Sequence, residues 1–224
     1  MSGSILKIIA VISMIMDHVA AYVLTKYPAC TQPLCTVVDE DISVIWIMRA
    51  VGRLAFPIFC FLLVEGFINT RNRIRYGILL LVFAILSEIP FDLVTAGRVD
   101  WTYQNVFFSL LFGYLGMSIL EHFKEDRFNR AAGMIMLICM VVFSRCDYGL
   151  GGFIFIMIMY LLKQYHWPKM ILACCFIPNG WLAMISAIPL RFYNKERGFI
   201  KGQYLKYCFY AFYPIHLLII YLLK

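Results

Sequence analysis

Apolar runs long enough to cross a lipid bilayer recur along the chain and are separated by short polar connections. A helix rises about 1.5 Å per residue, so about 20 apolar residues span the hydrocarbon core. The pattern predicts an all-α fold, a polytopic transmembrane helix bundle of about eight spans. The predicted spans cover residues 5–24, 42–68, 76–95, 105–120, 131–144, 148–162, 170–190 and 204–223.

The seventh run is interrupted by Pro178, Asn179 and Gly180, a combination typical of a turn. One kinked span and a re-entrant hairpin of two half-helices both fit it. A single span would put the basic connection 191–201 outside, against the tendency of lysine and arginine to stay in the cytoplasm. The pattern therefore favours the hairpin, a broken helix around residues 178–180.

The distribution of charge indicates the orientation of the bundle. The connection 25–41 is acidic, whereas basic residues cluster after the second span and in the connections 121–130 and 163–169. Basic loops stay in the cytoplasm, so we expect a cytoplasmic N-terminus. The same explanation covers the formal net charge of +7, and nucleic-acid binding is not expected.

Composition excludes a soluble globular protein. Of 224 residues, 62% are apolar and 15% are charged, which is typical of an integral membrane protein. We expect one transmembrane domain over residues 1–224. No metal-type spacing of cysteine and histidine appears, so no metal is expected. Cys30 and Cys35 share one polar loop and would pair only in an oxidising compartment.

Several ionisable residues lie inside predicted spans, where even a lenient scale gives each arginine a cost of about 2.5–3.5 kcal/mol. Arg49 and Arg53 are four residues apart, as are Glu88 and Asp92, so each pair shares one helix face. Counted from the outer loop ends, both pairs and His18 fall at similar depths. The sequence therefore predicts a polar layer between spans, serving either catalysis or structural ion pairing.

Histidine and acid in this layer suit proton transfer. Asp17 and His18 are adjacent and point about 100° apart on a helix, so the orienting partner of His18 must come from another span. Asp17 has a second reading, in which it only compensates an arginine. His216 lies near the middle of the last span, and it is either a proton-handling group or a hydrogen-bonded packing residue.

Ordered motifs over nearly the whole chain resemble the TraX family. They are Asp17-His18, Arg49-x-x-Gly52-Arg53-x-x-Phe56-Pro57, Glu65-Gly66, Thr70-Arg71-Asn72, Ser87-Glu88-x-Pro90-Phe91-Asp92, Asn105-Val106-Phe107-Phe108, Tyr193-Asn194-Lys195-x-Arg197-Gly198 and Tyr213-Pro214-x-His216. The family is named for a protein that N-acetylates a conjugative pilin subunit. The resemblance implies an acetyl-CoA-dependent transferase in a bacterial inner membrane, with an acceptor amine or hydroxyl on a pilin-like peptide, a glycan or a lipid.

On this reading His18 is the general base, and Glu88 or Asp92 orients its other nitrogen. Arg49 or Arg53 stabilises the oxyanion. The catalytic set is His18, Asp17, Arg49, Arg53, Glu88 and Asp92. The substrate- or cofactor-binding set is Glu65, Arg71, Arg75, Asn105, Lys195, Arg197, Lys206, Tyr210, Tyr213 and His216.

Two other classes of function stay open. A secondary transporter also needs midplane charges and a broken helix, although no internal repeat of the charged pairs appears in residues 113–224. A non-catalytic membrane assembly factor would use the polar layer only to lock helices together. Arg71 and Arg75 have a second interpretation as topology determinants, and Tyr210 and Tyr213 have one as an interfacial belt.

Overall fold

The computed structural model describes residues 1–37, 40–165, 167–200 and 202–224, with the side chains of residues 37, 167, 203, 204 and 206 omitted. The predicted all-α class is confirmed. The helices are α1 Gly3–Tyr22, α2 Pro28–Thr31, α3 Val44–Gly52, α4 Ala55–Asn69, α5 Arg73–Ala96, α6 Val106–His122, α7 Arg127–Ser144, α8 Gly149–Leu161, α9 Trp167–Cys174, α10 Gly180–Ala183, α11 Ala187–Arg191 and α12 Gln203–Leu223.

The bundle contains segments of membrane-spanning length. By length and composition, four segments can cross a bilayer: Gly3–Lys26, Val44–Asn69, Arg73–Ala96 and Arg127–Ser144. Shorter apolar helices cover Val106–His122, Gly149–Leu161 and Tyr207–Leu223. Together with the broken segment α9 to α11, these match the predicted bundle of about eight spans. The chain is a membrane protein.

The second predicted span is not one continuous helix. It divides into α3 and α4, with Arg53 and Leu54 between them. Pro57 explains the break. A proline has no N–H to donate to the carbonyl four residues earlier, here that of Arg53, and its ring lies too close to that carbonyl. The span also starts later than predicted, since Ser43 caps α3 by accepting a hydrogen bond from the Trp46 N–H at 3.1 Å.

The predicted break in the seventh run is confirmed. Helix α9 ends at Cys174, and only the short helices α10 and α11 follow before residue 192. Asn179 has a left-handed φ of 53°. At Gly180 an added Cβ would lie 1.7 Å from the Cys174 carbonyl oxygen, so the backbone turns too tightly for any other residue.

A small hairpin occupies part of the connection predicted as a simple loop. Strands β1 Cys35–Val37 and β2 Glu40–Ile42 pair antiparallel, with Cys35 opposite Ile42. Cys30 lies in α2, and both Cys30 and Cys35 are free thiols. The pairing that an oxidising compartment would favour is therefore not formed here.

The chain divides into two compact units. The first comprises Met1–Phe59, Pro90–Val99 and Trp181–Lys224, and the second Cys60–Ile89 and Asp100–Gly180. In the second unit α6 packs against both α7 and α8. The core of this unit includes Met117, Phe155 and Ile156, which are fully buried.

In the first unit α1 and α12 run parallel. The backbone N–H groups of Gly3 and Ser4 donate to the carbonyls of Glu196 and Arg197 at 2.7 and 3.0 Å, just before α12 begins. At the opposite ends the Lys224 ammonium lies 5.9 Å from the centroid of the Tyr22 ring. The basic connection 191–200 therefore lies at the same end as the N-terminus.

Helix α3 approaches α1 most closely at Gly52. A Cβ added there would lie 2.3 Å from the Cβ of Asp17. We predict that Gly52→Ala destabilises the protein by about 1–3 kcal/mol, since the two helices must separate. Gly133→Ala in α7 is the matched control, because an added Cβ there would lie 3.3 Å from its nearest neighbour, Cγ2 of Ile119, a much looser contact than at Gly52. Thermal unfolding in detergent measures both, and equal melting temperatures would contradict the close contact.

Candidate functional site

Asp17 in the first unit lies where α1 meets α3. Its carboxylate interacts electrostatically with Arg49 and with Arg53. The Asp17 Oδ1 atom is buried and accepts no hydrogen bond from the described residues, and no ion pair within 4.0 Å joins it to either arginine there. One carboxylate thus lies within electrostatic range of two guanidinium groups.

His18, the next residue, contacts the last helix. Its Nδ1 lies 2.7 Å from Nε2 of His216, and the two ring planes differ by only 7°. The residues are 198 positions apart in sequence, so only the parallel packing of α1 and α12 brings them together. His18 is half-buried and His216 is 5% exposed. The partner of His18 does come from another span.

The hydrogen bonds determine which nitrogen carries each proton. Nδ1 of His216 lies 3.1 Å from the carbonyl oxygen of Phe212, and a carbonyl only accepts, so this Nδ1 carries the hydrogen. In a neutral ring Nε2 of His216 is then an acceptor, and His18 donates to it from Nδ1. The lone pair on Nε2 of His18 is therefore left to accept a proton.

Aromatic rings enclose this histidine pair. Tyr213 packs edge-on to His18 at 6.3 Å between centroids and tilted to His216 at 5.4 Å, and Tyr213 is 5% exposed. Phe212 lies parallel to the His216 ring at 5.3 Å, and Tyr22 lies 6.0 Å from His18. Arg49 also acts electrostatically on His18. The imidazoles are thus held in fixed orientations beside a cationic group.

We predict Nδ1–H tautomers for both His18 and His216. Nitrogen-15 NMR of histidine-labelled protein at neutral pH should show a bare Nε2 on His18, with signals assigned through single histidine substitutions. The exposed His122 serves as a reference for an ordinary imidazole. A proton on Nε2 of His18 would contradict the assignment.

Glu88, predicted to be catalytic, lies in the second unit and holds the start of α6. It is 1% exposed, and its Oε2 accepts from the Asn105 side-chain amide at 2.5 Å and from the Asn105 backbone N–H at 3.2 Å. Asn105 also donates to the Ala84 carbonyl at 2.8 Å and caps α6 by accepting from the Phe107 N–H at 2.9 Å. This geometry ties α5 to α6.

We predict that Glu88→Ala destabilises the protein by about 1–3 kcal/mol, the cost of leaving the buried Asn105 donors without an acceptor. Glu88→Gln should stay close to the unsubstituted protein, because an amide oxygen still accepts from Asn105. Chemical unfolding in detergent measures both variants. Equal destabilisation by Ala and Gln would show that the Glu88 charge itself is required.

The other predicted site residues are divided between the two units. Asp92 is 1% exposed in the first unit, and its backbone carbonyl accepts from Thr95 at 3.4 Å. Glu65 accepts from Asn69 through its backbone carbonyl at 2.8 Å. Tyr210 is half-buried, whereas the Lys206 side chain lies outside the described residues. The basic residues Arg71, Arg75, Lys195 and Arg197 are exposed.

Sequence reasoning missed a second polar cluster, which lies in the second unit. Lys169 is 6% exposed, and Tyr160 donates a hydrogen bond to Glu121. Arg73 Nη1 lies 4.0 Å from Glu121 Oε2. Lys169 belongs to a basic turn that the charge pattern explained by topology alone, so only its burial distinguishes it.

Comparison with known proteins identifies relatives. The family described as "TraX protein" matches residues 2–224. The "Probable fimbrial assembly protein FimC, serogroup H1" of Dichelobacter nodosus is 28% identical over 95% of this chain and 91% of that protein. The "Uncharacterized protein RP591" of Rickettsia prowazekii (strain Madrid E) is 30% identical over 77% of this chain and 60% of that protein. No solved structure matches the chain.

Proposed function

The chain belongs to the TraX family, and from that premise we propose that it is an integral membrane acetyltransferase. It moves an acetyl group from acetyl-CoA to an amine or hydroxyl of an acceptor. The observation that carries the proposal is the hydrogen bond between His18 and His216, which presents an unprotonated Nε2 on His18. An oriented imidazole with a free lone pair is the usual general base of acyl transfer.

The chemistry needs one proton acceptor and one source of positive charge. Nε2 of His18 takes the proton from the acceptor N–H or O–H as that atom attacks the thioester carbonyl. The resulting imidazolium donates through Nδ1 to Nε2 of His216, which stabilises the charge. The C–S bond then breaks, and His18 returns the proton to the leaving sulfur.

Arg49 and Arg53 supply the positive charge. A tetrahedral intermediate carries an oxyanion, and one well-placed donor is worth about 2.7–4 kcal/mol in a dry site. Asp17 acts on both guanidinium groups but forms no ion pair within 4.0 Å with either among the described residues, which leaves them suited to a developing anion. In this proposal Asp17 limits the cost of burying the arginines, as one reading of the sequence expected.

The cosubstrate is held by positive charge and aromatic rings. Lys195 and Arg197 are exposed basic residues of the first unit and are suited to the phosphates of CoA, with Lys206, Tyr210 and Tyr213 of the same unit as further candidates. The parallel packing of α1 and α12 puts the basic connection 191–200 and the N-terminus at one end, which supports a cytoplasmic N-terminus in the inner membrane. Acetyl-CoA then enters from that side.

The acceptor we propose is a pilin-like peptide. The Dichelobacter relative is named as a probable fimbrial assembly protein, and the alignment covers 91% of its length. That name also favours the second candidate, an assembly factor without catalysis. The two differ in whether His18 is needed for chemistry or only for helix packing.

We predict that His18→Ala lowers acetyl transfer by about 10²–10⁴-fold, the usual contribution of a general base. Membranes containing each variant are incubated with radiolabelled acetyl-CoA, and labelled peptide, glycan and lipid fractions are separated and counted. His122→Ala, an exposed histidine at the end of α6, is the matched control and should keep full transfer.

His18→Asn, which retains a polar side chain, accompanies the alanine variant to exclude misfolding, and detergent extraction with thermal unfolding verifies insertion. Undiminished labelling by either folded variant would exclude His18 as the base. Absence of any acetyl labelling in unsubstituted membranes, with fimbrial assembly intact, would instead favour the assembly factor.

A further inference from the structure

The second unit contains a buried lysine whose charge no neighbouring carboxylate neutralises directly. Lys169 is the third residue of α9 and is 6% exposed. Its ammonium donates one long hydrogen bond, 3.4 Å, to the Lys163 carbonyl and lies 5.6 Å from the centroid of the Phe61 ring. Among the residues that the structure describes, no carboxylate lies within 4.0 Å of it.

Burial of this ammonium is unfavourable. The Glu65 carboxylate acts on this ammonium electrostatically, without an ion pair within 4.0 Å among the described residues. The first turn of a helix is also the positive end of its dipole, so a cation there is repelled. Topology explains exposed lysines at helix ends, but it gives no reason to bury one. Because no described carboxylate pairs with Lys169 directly, the position suits an external anion.

Other basic groups of the second unit are linked to Lys169 through shared neighbours. The Lys163 ammonium lies 5.5 Å from the Tyr160 ring centroid, and Tyr160 donates a hydrogen bond to Glu121. Arg73 lies over the Phe67 ring at 4.6 Å while facing Glu121. The carboxylate of Glu121 interacts with Arg73, Lys124 and Lys163 together, so the basic groups outnumber the acids.

We propose that Lys169, Lys163 and Arg73 bind a phosphate group in the second unit. The flexible ammonium groups and the guanidinium match phosphate oxygens, which accept several charge-assisted hydrogen bonds. A phosphate can come from a free nucleotide. It can also come from the headgroup of an anionic lipid, because basic pockets on the cytoplasmic side of membrane proteins bind such headgroups.

Binding of phosphate compounds to purified protein in detergent tests the site. The probes are adenosine 3′,5′-bisphosphate, which carries the phosphate chemistry of the nucleotide, and adenosine, which lacks it. Phosphatidylglycerol and phosphatidylcholine nanodiscs form the lipid arm. We expect the bisphosphate or phosphatidylglycerol to raise the melting temperature, and adenosine and phosphatidylcholine to leave it unchanged. Lys169→Met should need at least a 10-fold higher concentration of the phosphate compound for the same rise.

Lys26→Met is the matched control, because Lys26 is an exposed lysine in the first unit and its loss changes the net charge equally. Lys169→Arg should bind within a few-fold of the unsubstituted protein. Should Lys169→Met fail to fold, Lys163→Met at the exposed rim should still weaken binding. A Lys169→Met protein that binds like the unsubstituted one, or no response to either phosphate source, would overturn the inference.

The outcome is separable from that of the proposed function. His18→Ala should lose acetyl transfer and keep phosphate binding, because it lies in the other unit. If His18→Ala transfers acetyl groups normally while phosphate binding still depends on Lys169, His18 is not the general base and the phosphate site is retained. A response to phosphatidylglycerol alone would identify the lipid as the source of the phosphate.

Discussion

The hydrogen bond between His18 and His216 is the interaction on which the site depends. A polar group inside a membrane helix must find its partner within the protein, because lipid offers none. Here the partner lies on the last helix, and the Phe212 carbonyl fixes its tautomer. One interaction therefore joins the two ends of the chain and orients one nitrogen for proton transfer.

Charge balance near this pair follows from close helix packing. Gly52 lets α3 approach α1 at Asp17, so one carboxylate comes within electrostatic range of Arg49 and Arg53. The break after α3, which Pro57 imposes, ends the helix at these arginines. Gly52 and Pro57 thus allow Asp17 and the two arginines to lie close together inside an otherwise apolar pair of helices.

The sequence predicted features that depend on local pattern. Apolar runs gave the spans, Pro178 to Gly180 gave the broken helix, and the adjacency of Asp17 and His18 required a partner from another span. It did not identify His216 as that partner, because 198 residues separate the two rings and only tertiary packing joins them. Lys169 was not predicted, because the sequence of a basic turn does not show which of its lysines is buried. The hydrogen bond between Glu88 and Asn105 was not predicted either, since it depends on how α5 packs against α6.

A double-mutant cycle on acetyl transfer tests the central claim that His216 acts through His18. The rates of His18→Ala, His216→Ala and the double variant are compared with that of the unsubstituted protein, by labelled acetyl-CoA in membranes. The account predicts that the double variant is no slower than His18→Ala alone, because His216 has no separate role in the reaction. Additive losses from the two substitutions would contradict it.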